Sequence, residues 1–299
     1  MNIQTNELKI IDGKKISDKI KEDVKASAEL LKAQRGITPG LAVIIVGEDP
    51  ASKVYVRNKG KACDALGFTS VTEQLPEDVS EERLLDLIGK FNVDEDIHGI
   101  LVQLPLPPHI DQQKVIEKID YRKDVDGFHP VNAGHLMIGE KCFVPCTPAG
   151  VVEMLRVSGI ETDGKHVVVL GRSNIVGRPV ANLLLRKEFN STVTVCHSRT
   201  KNMKEITKSA DILIAAIGKP EYVKSDFISE GCVVIDVGIN RVDDPLSKKG
   251  FRITGDVDFN DCLEKSLMIT PVPGGVGLMT IAMLMKNTFD SAAGNVYER

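Results

Sequence analysis

The stretch KHVVVLGRSNIVGRP (residues 165–179) decides the fold. It contains a short, continuous apolar run, then a turn with a glycine at each end, then a proline. An apolar run of this length is typical of a strand buried on both faces of a parallel sheet, and the proline suits the first turn of a helix. Strand, tight turn and helix in this order predict a Rossmann-like unit, in which the helix start can face a phosphate. Taken alone, the turn would also suit a doubly wound domain that binds no nucleotide.

The same alternation of strands and helices continues on both sides of this stretch. Downstream, the apolar runs and caps predict strands at 191–196, 211–218 and 231–238, helices from about 178 and near 202–209, and a last helix at 277–293. Upstream, they predict strands at 41–47, 68–74 and 98–105, and helices at 12–36, 49–66, 80–91 and 148–158. Residues 241–256, which include Lys248 and Lys249, predict an exposed loop or hairpin.

This pattern predicts an α/β protein with two domains and parallel sheets. We place an N-terminal α/β catalytic domain at residues 1–146 and a Rossmann-like domain at 147–276. The last helix, within residues 277–299, needs a partner for its apolar face, and we expect it to return to the first domain. A chain of 299 residues is long enough for two cores.

Composition excludes several classes of protein. Lys and Arg number 38 and Asp and Glu 42, a net charge of −4, so no basic face for nucleic acid is expected. No apolar stretch reaches the length of a membrane span, and the first residues, MNIQTNELKIIDGKK, resemble no targeting segment. The six cysteines form no C-x-x-C pair, so we expect reduced thiols, with zinc binding the weaker alternative. We therefore expect a soluble, cytoplasmic protein without a metal.

The second strand of the Rossmann-like unit indicates which dinucleotide binds. An NAD site usually ends this strand with an acidic residue that binds the ribose 2′-hydroxyl. Here the strand continues into Cys196-His-Ser-Arg-Thr200, with no acid at its end. The Ser198 hydroxyl and the Arg199 guanidinium suit a 2′-phosphate, and Arg172 can add a second positive charge. The sequence thus favours NADP, although Arg199 could also simply belong to a solvated strand end.

A second group of polar residues falls in the N-terminal domain. Tyr55 and Lys59 are four residues apart on a predicted helix, so they share one face. This helix starts just past the carboxyl end of a strand, where open α/β sheets bind their ligands. Gln103 lies at the carboxyl end of another predicted strand, so the three side chains can converge. Gln103 could instead only cap loop backbone.

Two further stretches have the composition of ligand-binding loops. Lys123-Asp-Val-Asp-Gly127 carries two carboxylates, Asp124 and Asp126, and with no further ligand nearby a hydrogen-bonding role is favoured over a metal site. Thr270-Pro-Val-Pro-Gly-Gly-Val-Gly277 is rich in glycine and proline, so its backbone can approach a flat ligand closely. A rigid hinge between domains would have the same composition.

Seven motifs together resemble the methylenetetrahydrofolate dehydrogenase/methenyltetrahydrofolate cyclohydrolase family. They are YVRNK (55–59), VQLPLP (102–107), KDVDG (123–127), PCTP (145–148), GRSNIVGRP (171–179), DVGIN (236–240) and PVPGGVG (271–277). The motifs follow the family's order over almost the whole chain. The resemblance implies a bifunctional enzyme, with a catalytic domain and an NADP-binding domain, that acts on tetrahydrofolate substrates and forms a homodimer.

The resemblance also implies roles for single residues. Lys59 is the essential residue of hydrolysis, Gln103 partners it, Tyr55 lies against the folate, and Asp124 holds the pterin. Folate contacts are implied for Val102, Leu104, Pro273, Gly274, Gly275, Val276 and Gly277. Cofactor contacts are implied for Gly171, Arg172, Ser173, Ser198 and Ile239, to which the argument above adds Arg199.

Two rival interpretations remain. The first is another NADP-linked two-domain dehydrogenase, of shikimate or amino-acid type, which would need a catalytic Lys–Asp pair where this chain offers Lys59 and Gln103. The second is a nucleotide-binding or sensing protein without catalysis, which would leave Tyr55, Lys59 and Gln103 without a purpose.

Overall fold

The structure, a computed structural model, describes residues 9–247 and 250–298. This part of the chain forms two compact units, each an α/β arrangement around parallel strands. The first unit contains Asp18–Cys146 and residues 281–298, and the second contains residues 9–17 and Thr147–Thr280. The predicted two-domain α/β fold is confirmed. Residues 1–8, where no targeting segment was expected, lie outside the described residues.

The first unit is built on a three-stranded parallel sheet. Its elements are α1 (Gly13–Arg35, largely in this unit), β1 (Gly40–Val46), α2 (Pro50–Leu66), β2 (Thr69–Leu75), α3 (Glu81–Val93), β3 (Gly99–Val102), α4 (Gln112–Lys118) and α5 (Pro130–Ile138). The strand order is β2-β1-β3, and Ile44 lies opposite both Glu73 and Val102. The central strand β1 is buried at every position, as its unbroken apolar run predicts.

The helix α2 starts where the sequence signals predict. The Asp49 side chain accepts a hydrogen bond from the Ser52 amide at 2.7 Å, and Pro50 occupies the first turn. The helix ends at Gly67, whose left-handed conformation closes it. Because α2 begins four residues after β1, its first turns lie beyond the carboxyl edge of the sheet.

The second unit contains a five-stranded parallel sheet. Its elements are α6 (Cys146–Val157), β4 (His166–Leu170), α7 (Gly177–Leu184), β5 (Thr192–Cys196), α8 (Met203–Lys208), β6 (Ile212–Ala215), β7 (Val233–Asp236), β8 (Asn240–Asp243), β9 (Phe251–Thr254), α9 (Phe259–Leu263), β10 (Met268–Ile269) and the first residues of α10 (Val276–Ala293). β8 and β9 pair as an antiparallel hairpin, one of the two forms expected for residues 241–256. Lys248 and Lys249 lie outside the described residues.

The strand order of this sheet, β10-β7-β6-β4-β5, creates the crevice that a nucleotide needs. The chain leaves β4 towards β5 on one side and then crosses back to β6 on the other side. The loops that follow β4 and β6 therefore diverge at the carboxyl edge, which is where doubly wound folds bind ligands. The predicted Rossmann-like unit is confirmed.

Some elements differ from the sequence prediction. The strand expected at 98–105 ends at Val102, and the Gln103 amide makes one more bond to the Ile44 carbonyl of β1 at 2.8 Å. The short helices α4 and α5 were missed, although Asp111 and His129 accept hydrogen bonds as their N-caps. Residues 9–17 lie with the second unit, since the Ile11 amide donates to the Ile269 carbonyl at 2.9 Å.

The last helix, α10, connects with the first unit as expected. Its residues from 281 onward belong to that unit, and Leu284 and Met285 are buried there. The Asn287 side-chain amide donates to the carbonyls of Val125 and Val144 at 2.8 and 3.0 Å. In the described part of the chain, no helix has the length and apolar character needed to cross a membrane.

Candidate active site

A buried lysine lies at the carboxyl edge of the first unit's sheet. Lys59, on the third turn of α2, is only 7% exposed, and its Nζ donates to Gln103 Oε1 at 3.0 Å. The Gln103 Nε2 donates to the Leu104 carbonyl at 2.8 Å, and the Gln103 amide donates to Ile44 of β1 at 2.8 Å. These contacts turn the neutral side-chain oxygen of Gln103 towards the lysine. The structure thus brings together two of the predicted residues.

Tyr55 lies one turn before Lys59 on the same helix and is 40% exposed, so its ring is available to a ligand above the lysine. Val102 is buried at the end of β3, and Leu104 is half-buried just after it. Both line a small cavity of about 20 Å³ together with Asp124, Asp126 and other residues. A cavity of this size has room for about one water molecule, whereas the exposed ring of Tyr55 offers a flat face to an organic ligand.

Asp124, the first of the two acids in the KDVDG stretch, is a buried carboxylate. It is 2% exposed, and its Oδ2 accepts hydrogen bonds from the His129 amide at 2.8 Å and from Asn132 Nδ2 at 2.9 Å. Burial raises the pKa of this carboxyl group above its ordinary value. These hydrogen bonds connect Asp124 to the end of its own loop and to the helix α5 that follows.

Asp126, two residues further, is half-buried and lies within electrostatic range of Lys59. Burial raises the pKa of Asp126, and the positive charge of Lys59 and a hydrogen bond from the Cys146 thiol oppose that rise. Nothing in the alternation of KDVDG shows which of its two acids faces Lys59, since that depends on contacts with Asn132 and Cys146 farther along the chain. The sequence left the role of Asp126 open.

The turn after β4 has the tight geometry expected of a phosphate-binding turn. Gly171 has a φ of +124°, and a Cβ atom on it would lie 2.1 Å from the Ala216 carbonyl oxygen. A Cβ atom on Gly177 would lie 2.2 Å from the Gly171 carbonyl oxygen. The Ser173 Oγ accepts hydrogen bonds from the amides of Val176 and Gly177 at 3.2 and 3.3 Å. Only glycine fits at both ends of this turn, which lies against the loop after β6.

The predicted 2′-phosphate residues follow the neighbouring strand. Leu170 of β4 lies opposite Cys196 of β5, so the two loops leave the sheet side by side. Ser198 and Arg199 are exposed in the second loop, and Arg172 is exposed in the first. These residues give this edge hydroxyl and guanidinium donors, and so they fit a dinucleotide that carries a 2′-phosphate.

A pair of buried carboxylates, which the sequence analysis missed, supports the other side of the crevice. Asp256 is 0% exposed. It accepts hydrogen bonds from the amides of Ile217, Gly218 and Lys219 at 2.7, 2.9 and 2.9 Å and from Asn240 Nδ2 at 2.9 Å. One side chain therefore fixes both the loop after β6 and the residue that follows Ile239.

Asp236, at the end of β7, holds Asp256 in turn. It accepts hydrogen bonds from the amides of Gly238, Asp256 and Val257, each at 2.9 Å. Burial raises the pKa of Asp236 to about 7. The motif DVGIN offered a signal for Asp236, but no local pattern indicated that Asp256, twenty residues later, would be its partner.

The loop Pro273–Gly277 lies against Ile239, one of the predicted cofactor contacts. A Cβ atom on Gly277 would be 3.1 Å from Ile239 Cδ1, and the Gly275 carbonyl oxygen lies close to Gly13. Ile239 is itself 49% exposed. Within the second unit, the structure thus brings the predicted glycine-rich loop next to a predicted cofactor contact.

Neither cysteines nor acidic clusters form a metal centre in the described residues. All six cysteines are buried free thiols. Among residues 9–247 and 250–298, no group of three or more histidine, cysteine, aspartate or glutamate side chains is arranged to hold an ion.

Two models of known protein families match this chain, one over each of two successive stretches. Residues 11–126 match the model for the catalytic domain of tetrahydrofolate dehydrogenase/cyclohydrolase. Residues 145–296 match the model for the NAD(P)-binding domain of the same family.

Individual relatives match over nearly their whole length. The bifunctional protein FolD of Prosthecochloris aestuarii is 58% identical over 288 residues, which cover 95% of this chain and 98% of the relative. The crystal structure of the FolD methylenetetrahydrofolate dehydrogenase/cyclohydrolase of Campylobacter jejuni superposes with a TM-score of 0.91 at 48% identity, covering 96% of this chain and 99% of the other. The FolD structure from Trypanosoma brucei, complexed with NADP cofactor and an inhibitor, has a TM-score of 0.91 at 43% identity and covers 96% and 98% of the two chains.

Proposed function

The chain belongs to the tetrahydrofolate dehydrogenase/cyclohydrolase family, and from this membership we propose that it is a bifunctional enzyme of one-carbon metabolism. It oxidises 5,10-methylenetetrahydrofolate with NADP⁺ to 5,10-methenyltetrahydrofolate, and it hydrolyses that product to 10-formyltetrahydrofolate. The observation that carries the proposal is the buried Lys59–Gln103 pair at the carboxyl edge of the sheet, in the part of the chain that matches the family's catalytic domain.

The oxidation needs positioning more than acid–base chemistry. The carbon that loses hydride lies between two nitrogens, whose lone pairs stabilise the resulting cation, so no proton has to be removed. Bound NADP⁺ supplies the hydride acceptor. The residues that would hold it are Gly171, Arg172, Ser173, Ser198, Arg199 and Ile239, which lie on the turn after β4, the loop after β5 and the loop after β7.

The hydrolysis needs a group that handles protons. Water adds to the amidinium carbon, the bond from this carbon to one nitrogen breaks, and one proton is released overall. Lys59 is the group that gives and takes protons at this carbon. Gln103 orients the lysine through its neutral oxygen, so it adds no second negative charge beside the lysine.

Folate contacts are proposed for the residues around this pair. Tyr55 stacks on the ligand, and Asp126 rather than Asp124 offers its carboxylate to the pterin, because Asp124 is used within its own loop. Asp124 then acts by shaping the loop. Val102 and Leu104 are the remaining proposed contacts in this unit. The family resemblance adds Pro273, Gly274, Gly275, Val276 and Gly277 of the glycine-rich loop as proposed folate contacts.

The two rival functions are less well supported. A shikimate-type dehydrogenase would need a Lys–Asp pair at the carbonyl that it reduces, whereas Lys59 donates its hydrogen bond to Gln103 Oε1 and interacts with Asp126 only through charge. A nucleotide-binding protein without catalysis would have no use for a buried lysine oriented in this way. Binding of NADP⁺ without any folate binding would favour the second rival.

The proposed function is tested with purified protein and 5,10-methylenetetrahydrofolate. Absorbance of NADPH and of the methenyl product is followed with NADP⁺ or with NAD⁺. We expect NADPH to form with little accumulation of methenyl product, because Lys59 hydrolyses it. Accumulation of the methenyl product would contradict the proposed hydrolase activity. If neither NADP⁺ nor NAD⁺ were reduced, the proposed dehydrogenase activity would be contradicted.

Cofactor choice gives a separate prediction. Arg199→Ala is expected to raise the KM for NADP⁺ by about tenfold, since it removes a charge-assisted hydrogen bond to the 2′-phosphate, and to leave the KM for NAD⁺ unchanged. Steady-state oxidation with each cofactor measures both values. Lys201→Ala, which removes an exposed charge two residues away, is the matched control. An equal loss with both cofactors, or an equal effect of Lys201→Ala, would contradict the assignment.

Assembly and location belong to the same proposal. We propose a homodimer, which sedimentation velocity of the purified protein tests directly. We also propose a cytoplasmic location, with support from the six buried free thiols, which suit a reducing compartment. Tetrahydrofolate derivatives are the proposed substrates, and neither nucleic acid nor a membrane is a proposed partner.

A further inference from the structure

A tyrosine near the end of the chain reaches the loop that carries the two acids. Tyr297 follows α10 and lies just beyond the stretch that matches the family's NAD(P)-binding domain. Its hydroxyl donates to Asn132 Oδ1 at 2.6 Å, and His135 Nδ1 lies 3.2 Å from the same oxygen. Its ring packs edge-on against Tyr121 and Phe143, with centroids 5.0 and 5.7 Å away. Burial raises the pKa of Tyr297, so the hydroxyl keeps the proton that it donates.

Asn132 connects the Tyr297 hydroxyl to Asp124 through its side-chain amide. It is fully buried, and its Nδ2 donates to the Tyr121 carbonyl and to Asp124 Oδ2, each at 2.9 Å. Its Oδ1 accepts from the Tyr297 hydroxyl and, at 3.4 Å, from the Phe143 amide. The orientation of this amide is therefore set by its partners, and the tyrosine hydroxyl is the nearer of the two donors to its oxygen. Without that hydroxyl, the Asn132 Oδ1 keeps only the long bond from Phe143, so the amide is held firmly on its Nδ2 side alone and can shift together with Asp124.

Residues 123–129, here called the acid loop, depend on Asp124 for their shape. Besides its side-chain bonds, Asp124 accepts a hydrogen bond from the Gly127 amide through its backbone carbonyl at 3.1 Å. Gly127 has a φ of +74°, and a Cβ atom on it would lie 2.6 Å from the Pro145 nitrogen. The acid loop thus packs tightly against residues 143–145. A small shift at Asp124 therefore moves Asp126, two residues away.

The C-terminal segment holds the acid loop at a second point. Asn287 of α10 donates to the Val125 carbonyl at 2.8 Å, between the two acids. The Cys146 thiol donates to the same Val125 carbonyl at 3.5 Å. Val125 is thereby fixed from one side by α10, while Asp124 is fixed from the other side by Asn132 and Tyr297.

We propose that Tyr297 is a positioning residue for the folate site: through Asn132 and Asp124, its hydroxyl sets the place of the Asp126 carboxylate beside Lys59. The inference rests on the function proposed above. Tyr297 touches neither Lys59 nor the substrate. It therefore acts on substrate binding and leaves the cofactor site of the second unit unaffected.

The test compares Tyr297→Phe with Tyr121→Phe. The first change removes only the hydroxyl that orients Asn132, and the second removes a hydroxyl from a ring of the same cluster, for which no hydrogen bond is found among the described residues. With methenyltetrahydrofolate, Tyr297→Phe is expected to raise KM by about three- to tenfold, the effect of one lost hydrogen bond, with a smaller change in kcat. The KM for NADP⁺ in the oxidation, and every constant of Tyr121→Phe, should stay within about twofold of wild type.

A double-mutant cycle separates positioning from a general loss of stability. If Tyr297 acts through Asp126, then Tyr297→Phe adds no further rise in KM in an Asp126→Asn background. Additive effects, an unchanged KM in folded Tyr297→Phe protein, or an equal effect of Tyr121→Phe would overturn the inference. Wild-type protein without either activity would instead overturn the proposed function, and the inference with it.

Discussion

Lys59→Met is expected to abolish hydrolysis of methenyltetrahydrofolate, with a loss of about a thousandfold or more, the upper part of the range for removal of a general acid–base group. Methionine fills a similar volume, so the buried position on α2 stays packed. The change removes the only ammonium that the structure places beside both Gln103 and Asp126 in the described residues. Decay of methenyl absorbance measures the rate directly.

Oxidation should survive this substitution much better than hydrolysis. Hydride transfer requires no proton from the protein, so methenyl product is expected to accumulate while NADPH forms. Lys61→Met, an exposed lysine on the same helix, is the matched control and should hydrolyse at the wild-type rate. If Lys59→Met hydrolysed the methenyl substrate normally, the lysine would have no part in the chemistry.

The sequence predicted those residues correctly whose structural role depends on neighbours only a few positions away in the chain. Gly171 and Gly177 stand at the two ends of a turn between an apolar run and a proline, and each is required by a contact inside that turn or with the next loop. Asp49 and Pro50 mark the start of α2 in the same local way, and this placed Lys59 at the edge of the sheet.

The choice between Asp124 and Asp126 could not be made in this way. Both acids stand in the same short motif, and burial raises the pKa of each. What distinguishes them is the partner that each meets: the Asn132 amide for Asp124, and Lys59 with Cys146 for Asp126. These partners come from distant parts of the chain, so only the folded loop shows which carboxylate faces the lysine.

The pair Asp236 and Asp256 was missed for the same physical reason. Asp256 follows the β8–β9 hairpin in a stretch that reads as a polar connection, and yet it is fully buried. Its burial is tolerable because three backbone amides and one side-chain amide donate to it. Such a set of donors is assembled from two loops and has no signature in the sequence around residue 256.

Asp256→Ala is therefore expected to disable NADP⁺-dependent oxidation while hydrolysis continues. The substitution leaves four part-buried donors without their acceptor, so the loop Ile217–Lys219 and Asn240 lose the contacts that fix their positions. Because these loops border the crevice at the switch point of the sheet, the KM for NADP⁺ should rise by more than about tenfold, the equivalent of 1.4 kcal/mol. Lys59 and Gln103 lie in the other unit and should still hydrolyse the methenyl substrate.

Both activities have to be measured on the same preparation, because the retained hydrolysis shows that the protein is folded. Asp256→Asn is expected to fall between the wild type and Asp256→Ala, since its one oxygen can still accept while its NH₂ group meets backbone donors. Asp243→Ala removes an exposed acid from β8 and serves as the control for charge alone. A normal KM for NADP⁺ in Asp256→Ala would show that the loop keeps its shape without the carboxylate. Equal loss of both activities would show that the substitution unfolds the whole chain, and either result would refute the selective role of Asp256 in forming the cofactor crevice.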